Sequence, residues 1–147
     1  MRRVIDEKIT TGLTPDFYNL CYDESCNLRC PSCRSNQINH NSGTGYQMRK
    51  RIQDRIIKDL FDTYHERNST VNITGSGDPF GSKLFRELLF SIDGKNFPRL
   101  HINLQTNGVM FTEKYWDKMH KIHKNINTVV VSFDAGTEDT YNQIRVG

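Results

Sequence analysis

The sequence has 147 residues, the length of one domain, which excludes a multidomain assembly within it. Twenty Lys and Arg against seventeen Asp and Glu leave a net charge of +3, spread along the chain without a dense run, and this excludes the footprint of a nucleic-acid-binding protein. The hydrophobic fraction is 35%, no apolar stretch approaches the roughly 20 residues of a membrane span, and no apolar segment follows Met1-Arg2-Arg3, so the expectation is a cytoplasmic protein without signal peptide or membrane partner.

In chain order, residues 1–15 read as a polar lead-in to a core over 16–147. Phe17-Tyr18-Asn19-Leu20-Cys21-Tyr22 is an aromatic-rich strand. Residues 34–45, rich in Asn, Ser and Gly, form a loop. From Tyr46 to about Glu66, Met48, Ile52, Ile56, Ile57, Leu60, Phe61 and Tyr64 fall on one helical face, with the Arg49-Lys50-Arg51 run read as solvated. Thr70–Thr74 is a second strand, broken sharply by Gly75-Ser76-Gly77-Asp78-Pro79. Residues 82–92 form a second helix. Leu100–Leu104 alternates as a third strand and ends in the turn Thr106-Asn107-Gly108. Thr112 is placed to cap a helix running through Tyr115, Trp116, Met119 and Ile122. Thr128–Phe133 is a β-branched fourth strand, and Thr137 caps a fourth helix bearing Tyr141 and Ile144.

Strands that alternate with helices imply an α/β fold with a parallel sheet. In such sheets chemistry gathers at the C-terminal ends of the strands. Every unusual segment of this sequence lies at one of those ends.

The cysteines are the most informative of them. Cys21, Cys26, Cys30 and Cys33 lie within thirteen consecutive residues, and none follows. Without a secretory context this clustering suggests a metal or redox site rather than disulfides. Cys26, Cys30 and Cys33 have Cys-x3-Cys-x2-Cys spacing, whereas Cys21 lies in the strand and reads as a buried thiol. A structural zinc site uses four ligands, usually as two separated pairs. Three thiolates on a four-iron cubane instead leave one iron open to bind a small molecule. His101, His120 and His123 are scattered and read as surface or helix residues.

The three-cysteine motif, the glycine turn at 75–79, Gln105-Thr106-Asn107-Gly108 and the segment from Val131 to Gly147 together resemble the radical S-adenosylmethionine (radical SAM) superfamily, from about residue 16 to Gly147. The finer resemblance is to its peptide-modifying and anaerobic sulfatase-maturing branch. The resemblance implies a partial (β/α)6 TIM-like barrel of about four strands, truncated before further strands that would carry the substrate site. It implies an enzyme in which Cys26, Cys30 and Cys33 hold a [4Fe–4S] cluster that reductively cleaves SAM to a 5′-deoxyadenosyl radical, and that radical takes hydrogen from a substrate. An electron donor such as flavodoxin or ferredoxin is implied as partner; the substrate is not legible.

The same resemblance assigns the other cofactor-binding positions. Ser76, Gly77 and Asp78 correspond to the turn that binds the methionine ammonium, although Asp stands where the family usually has Glu and Ser where it has Gly. Ser132 and Asp134 correspond to ribose contacts, Arg145 to a partner of the SAM carboxylate, and Asn107 to a turn residue that also touches the cofactor. Ser32 stands where the family usually has an aromatic beside the adenine, and Pro31 stiffens the loop. Two alternatives remain at this level: a small zinc module using all four cysteines, and a remnant that holds a cluster without cleaving SAM.

Overall fold

The computed structural model describes residues 15–62, 68–73 and 77–147. The lead-in other than Pro15, the expected helical residues Tyr64 and Glu66, and Thr74, Gly75 and Ser76 lie outside the described residues. The four strands are β1 (Phe17–Leu20), β2 (Ser69–Ile73), β3 (Leu100–Thr106) and β4 (Ile126–Val131). They form one parallel sheet in the order β1-β2-β3-β4. Helices α1 (Gly43–Asp62), α2 (Lys83–Ser91), α3 (Glu113–Lys118) and α4 (Glu138–Ile144) alternate with them. The expected α/β alternation is thus the fold, an open sheet that matches part of a TIM-like barrel.

Alternation along the strands decides which face is covered. Ser69, Val71 and Ile73 of β2 and Leu100, Ile102, Leu104 and Thr106 of β3 are buried. The apolar ones among them pack with Leu60 of α1, Phe85, Leu88 and Leu89 of α2, and Met119 and Ile122. Ser82 starts α2 by accepting a hydrogen bond from the Phe85 amide at 3.1 Å. The opposite face is polar. The Asn103 amide donates to Asn72 Oδ1 at 2.8 Å, and Asn127 donates to Asn103 Oδ1 at 3.0 Å. The β3–β4 register slips between Ile102 and Asn103, which leaves Asn127 as the extra residue of a bulge.

Several expected boundaries move. β1 stops at Leu20, which takes the buried position, so Cys21 lies beyond the strand and is exposed rather than buried. The fourth strand occupies 126–131, two residues earlier than expected, because Ile126 and Val129 pack on the core. The third helix ends at Lys118 and gives way to a 3-10 segment, His120–Asn125. Buried Asn125 fixes that tighter path by donating to the carbonyls of Phe97 and Leu100. Thr112 stands at the N-cap of α3 but makes no side-chain cap bond; its carbonyl accepts from Tyr115 and Trp116 instead. Thr137 does cap α4, accepting from the Thr140 amide. α1 begins at Gly43, earlier than expected, and Met48 and Ile52 on its presumed core face are exposed. Gln53 is buried instead and accepts from the Tyr22 hydroxyl at 2.7 Å. Val130 and Val131 stay about half exposed on β4, which pairs only with β3 among the described residues.

Candidate functional site

The segment from Cys21 to Ser42 joins β1 to α1 and carries the other three cysteines. Its anchor is Asp23, which is fully buried. Asp23 Oδ1 accepts from the Ser25 amide and hydroxyl at 3.0 and 2.8 Å, and Oδ2 accepts from the Ser82 hydroxyl at 2.6 Å. The neighbouring carboxylate, Glu24, accepts from Arg49 Nη2 at 2.6 Å and Nε at 3.0 Å. Arg49 is therefore not solvated as its run of charges suggested; its side chain is 12% exposed, because two carboxylates in the preceding loop need a cation. Burial pushes the Glu24 carboxyl up, and the Arg49 hydrogen bond and charge outweigh it, holding Glu24 below its usual range. Asp23, Glu24 and His40 stand close enough to share a metal ion, but Arg49 already supplies the positive charge there.

Gly77 lies directly against this loop. A Cβ at Gly77 would fall 2.4 Å from the Ser25 carbonyl oxygen and 2.9 Å from that of Asp23, so only glycine fits. The next amide, Asp78 N–H, donates to the Ser25 carbonyl at 2.9 Å. The Asp78 side chain is buried, and each carboxylate oxygen accepts two hydrogen bonds. Oδ1 takes the Phe80 and Gly81 amides at 2.9 and 3.0 Å. Oδ2 takes the Thr106 hydroxyl at 2.7 Å and the Asn107 amide at 2.8 Å. Asp78 therefore ties the end of β2 to the end of β3 through donors of the chain itself.

Asn107 then faces the cysteine loop. Its amide nitrogen donates to Asn27 Oδ1 at 2.9 Å and lies 3.6 Å from Cys26 Sγ, while its oxygen accepts from the Val109 amide. Gly108 turns the chain with φ +83°, a conformation that favours glycine.

The end of β4 completes the enclosure. The Ser132 amide donates to the Thr106 carbonyl at 2.8 Å. Arg145, one residue beyond α4, reaches back: Nη2 meets Asp134 Oδ2 at 2.5 Å and the Ser132 carbonyl at 3.4 Å, and Nη1 lies 3.8 Å from Cys30 Sγ. Its Nε is buried without a hydrogen-bond partner among the described residues. Burial alone would lower the Arg145 pKa, but the Cys30 contact and Asp134 outweigh it and push the value up. The Arg29 amide donates to the Val146 carbonyl at 2.6 Å, fastening the cysteine loop to the segment after α4.

These elements enclose a cavity of about 140 Å³. Cys26, Cys30, Cys33, Gly77, Asp78, Asn107, Ser132 and Arg145 line it, so the structure brings together most of the residues singled out by sequence. Asp134 is not in the lining and reaches the cavity through Arg145; Cys21 and Ser32 do not line it. Ser76 lies outside the described residues. Leu28 and Arg34 also line the cavity without having been singled out, as do Gln105 and Thr106, which the sequence marked as part of a motif but gave no site role. Arg34 donates to the Glu24 carbonyl at 2.6 Å and to Cys33 Sγ at 3.4 Å. The signal for it was adjacency: a cation next to the last cysteine of a motif.

All four cysteines are free thiols. Burial pushes the Cys26 thiol up, so the thiolate there calls for a compensating positive charge. Three converging soft donors fit an iron–sulfur cluster. The unpartnered Arg145 Nε beside them fits an acceptor from an anionic ligand.

Residues 24–147 match the profile described as the Radical SAM superfamily. No curated protein matches the sequence. Among solved structures, BtrN in complex with AdoMet and 2-DOIA aligns with a TM-score of 0.56 at 15% identity, over 90% of this chain and 51% of that one. A second BtrN structure, in an open conformation, aligns with a TM-score of 0.57 at 15% identity, over 90% of this chain and 56% of that one. Streptococcus suis SuiB bound to S-adenosylmethionine aligns with a TM-score of 0.58 at 15% identity, over 98% of this chain and 30% of that one. The chain thus spans about half the length of BtrN. Among the described residues, no helix is long and apolar enough to cross a membrane.

Proposed function

The chain belongs to the radical SAM superfamily, and from that premise we propose that residues 16–147 form the cofactor-binding core of a radical SAM enzyme. The observation that carries this reading is the convergence of Cys26, Cys30 and Cys33 with an unpartnered, buried Arg145 Nε on one cavity. In this reading the three cysteines hold a [4Fe–4S] cluster, and SAM occupies the adjoining space. Held by these three cysteines, the cluster would supply the one-electron reductive cleavage of SAM from which hydrogen-atom abstraction from a substrate starts.

The chain's own residues bind and orient. The Arg145 guanidinium receives the SAM carboxylate on its Nε side while Asp134 and the Ser132 carbonyl hold Nη2. The methionine ammonium is met by the backbone at Gly77 and Asp78, which line the cavity. The Asp78 carboxylate, already accepting four hydrogen bonds, acts indirectly by fixing the turn and Asn107. The Ser132 hydroxyl serves the ribose, with Asp134 holding Arg145 rather than standing in the cavity wall. A reduced flavodoxin- or ferredoxin-type carrier delivers the electron.

Anaerobic reconstitution with iron and sulfide, followed by assay for 5′-deoxyadenosine, tests the proposal. Cys26→Ala, Cys30→Ala and Cys33→Ala should each abolish the brown absorption, and Cys21→Ala should spare it. Loss of metal on Cys21→Ala, with zinc recovered in place of iron, would overturn the reading in favour of a zinc module.

A further inference from the structure

The sulfurs of the three-cysteine motif receive N–H groups that differ in charge and burial. Cys26 Sγ takes the Leu28 amide at 3.4 Å and the Asn107 side-chain amide at 3.6 Å, both neutral. Cys33 Sγ takes Arg34 Nη2 at 3.4 Å, in an exposed setting. Cys30 Sγ is buried and has Arg145 Nη1 at 3.8 Å. A guanidinium keeps its charge at every working pH. The Arg145 side chain is 15% exposed, so water screens its charge weakly, whereas Asp134 is 51% exposed and offsets it only in part. The Asp134 and Ser132 contacts anchor Nη2 and leave Nη1 directed at the sulfur.

Resting on the reading of Cys26, Cys30 and Cys33 as cluster ligands, we infer that Arg145 sets the electron affinity of the cluster: its fixed charge at Cys30 favours the reduced state and raises the reduction potential. Adding one electron, given up by a reduced carrier protein, makes the cluster more negative. A fixed positive charge beside a ligating sulfur stabilises that added charge, and N–H contacts to cluster sulfurs act in the same direction. Arg145 is thereby a tuning residue as well as an anchor for an anion. Arg34 acts in the same sense on Cys33, more weakly because solvent screens it.

The test is a reductive titration of the reconstituted, SAM-free protein, read by electron paramagnetic resonance with iron quantified per chain. At the potential where the unaltered protein is half reduced, Arg145→Gln should lower the reduced-to-oxidised ratio about tenfold, equivalent to about 59 mV for a one-electron couple. Arg145→Lys, which restores the charge, should return the ratio to within about threefold, and Arg34→Gln should change it by about threefold or less. A ratio unchanged in Arg145→Gln with full iron content overturns the inference and leaves the cysteine reading standing. Should Arg145→Gln fail to take up iron, Asp134→Asn reads the same charge with opposite sign. Its ratio should rise as the offsetting carboxylate is removed, and no rise overturns the inference. Absence of any cluster in the unaltered protein overturns the cysteine reading and this inference with it.

Discussion

On one side of the cavity stands the turn after β2 with the end of β3; on the other stands the loop from Cys26 to Ser35. The first wall is held together by one side chain. Asp78 is buried and every acceptor position it offers is taken by Phe80, Gly81, Thr106 or Asn107. The second wall is open to solvent at Pro31, Ser32 and Cys33. Its backbone is tied at few points: Cys26 N–H to the Ile38 carbonyl, Arg29 N–H to the Val146 carbonyl, and Cys33 and Arg34 N–H to the Cys30 carbonyl. The difference teaches that polar residues in one cavity serve two ends. A carboxylate surrounded by the chain's own donors holds the fold, whereas thiols with fewer partners are, in the proposed reading, the ligands of a group that is not protein.

Substitutions on the two walls should therefore separate stability from metal retention. The largest effect on stability belongs to Asp78→Ala. Removing the carboxylate orphans four donors in a buried site, a loss of roughly 4 kcal/mol in urea unfolding of the metal-free chain. A loss below about 1 kcal/mol would break the distinction between the walls. Gly77→Ala comes next. Its Cβ would collide with the Ser25 carbonyl, which is backbone and cannot turn aside. Overpacking of this kind costs about 2–3 kcal/mol, read from the same unfolding curves. Because the collision pushes on the loop before Cys26, iron uptake should fall as well. The smallest effect belongs to Cys33→Ala, whose side chain is exposed. Metal-free stability should change by less than about 0.5 kcal/mol, while the same variant loses its brown absorption on reconstitution.

The parallel sheet was legible because the apolar residues of β2 and β3 alternate cleanly between Pro- and Gly-rich breaks. Boundaries were less so where a polar side chain overrode the pattern. Asn125 draws the chain after α3 into a 3-10 path, which no apolar spacing announces. Gln53 takes a buried place on α1 because Tyr22 brings it a donor, while Met48 and Ile52 stay outside. At the site, spacing revealed the three cysteines, and the glycine turn revealed Gly77 and Asp78. What spacing does not encode is the partner of each charge. Arg49 reads as a solvated helix residue until the fold lays Asp23 and Glu24 beside it. Asp134 reads as a group free to meet a ligand until α4 returns Arg145 to it.

The contacts of Arg145 with Cys30 and of Val146 with Arg29 join positions more than a hundred residues apart in sequence. A chain made from its N-terminus exposes its cysteines long before residues 145 and 146 leave the ribosome. Closing so long a loop is entropically costly and belongs to the late events of folding. Until then the Cys30 sulfur lacks its guanidinium and the Arg29 amide lacks its acceptor. The cavity described above therefore forms only once residues up to Val146 are available, and a nascent chain stopped before α4 presents its thiols without it.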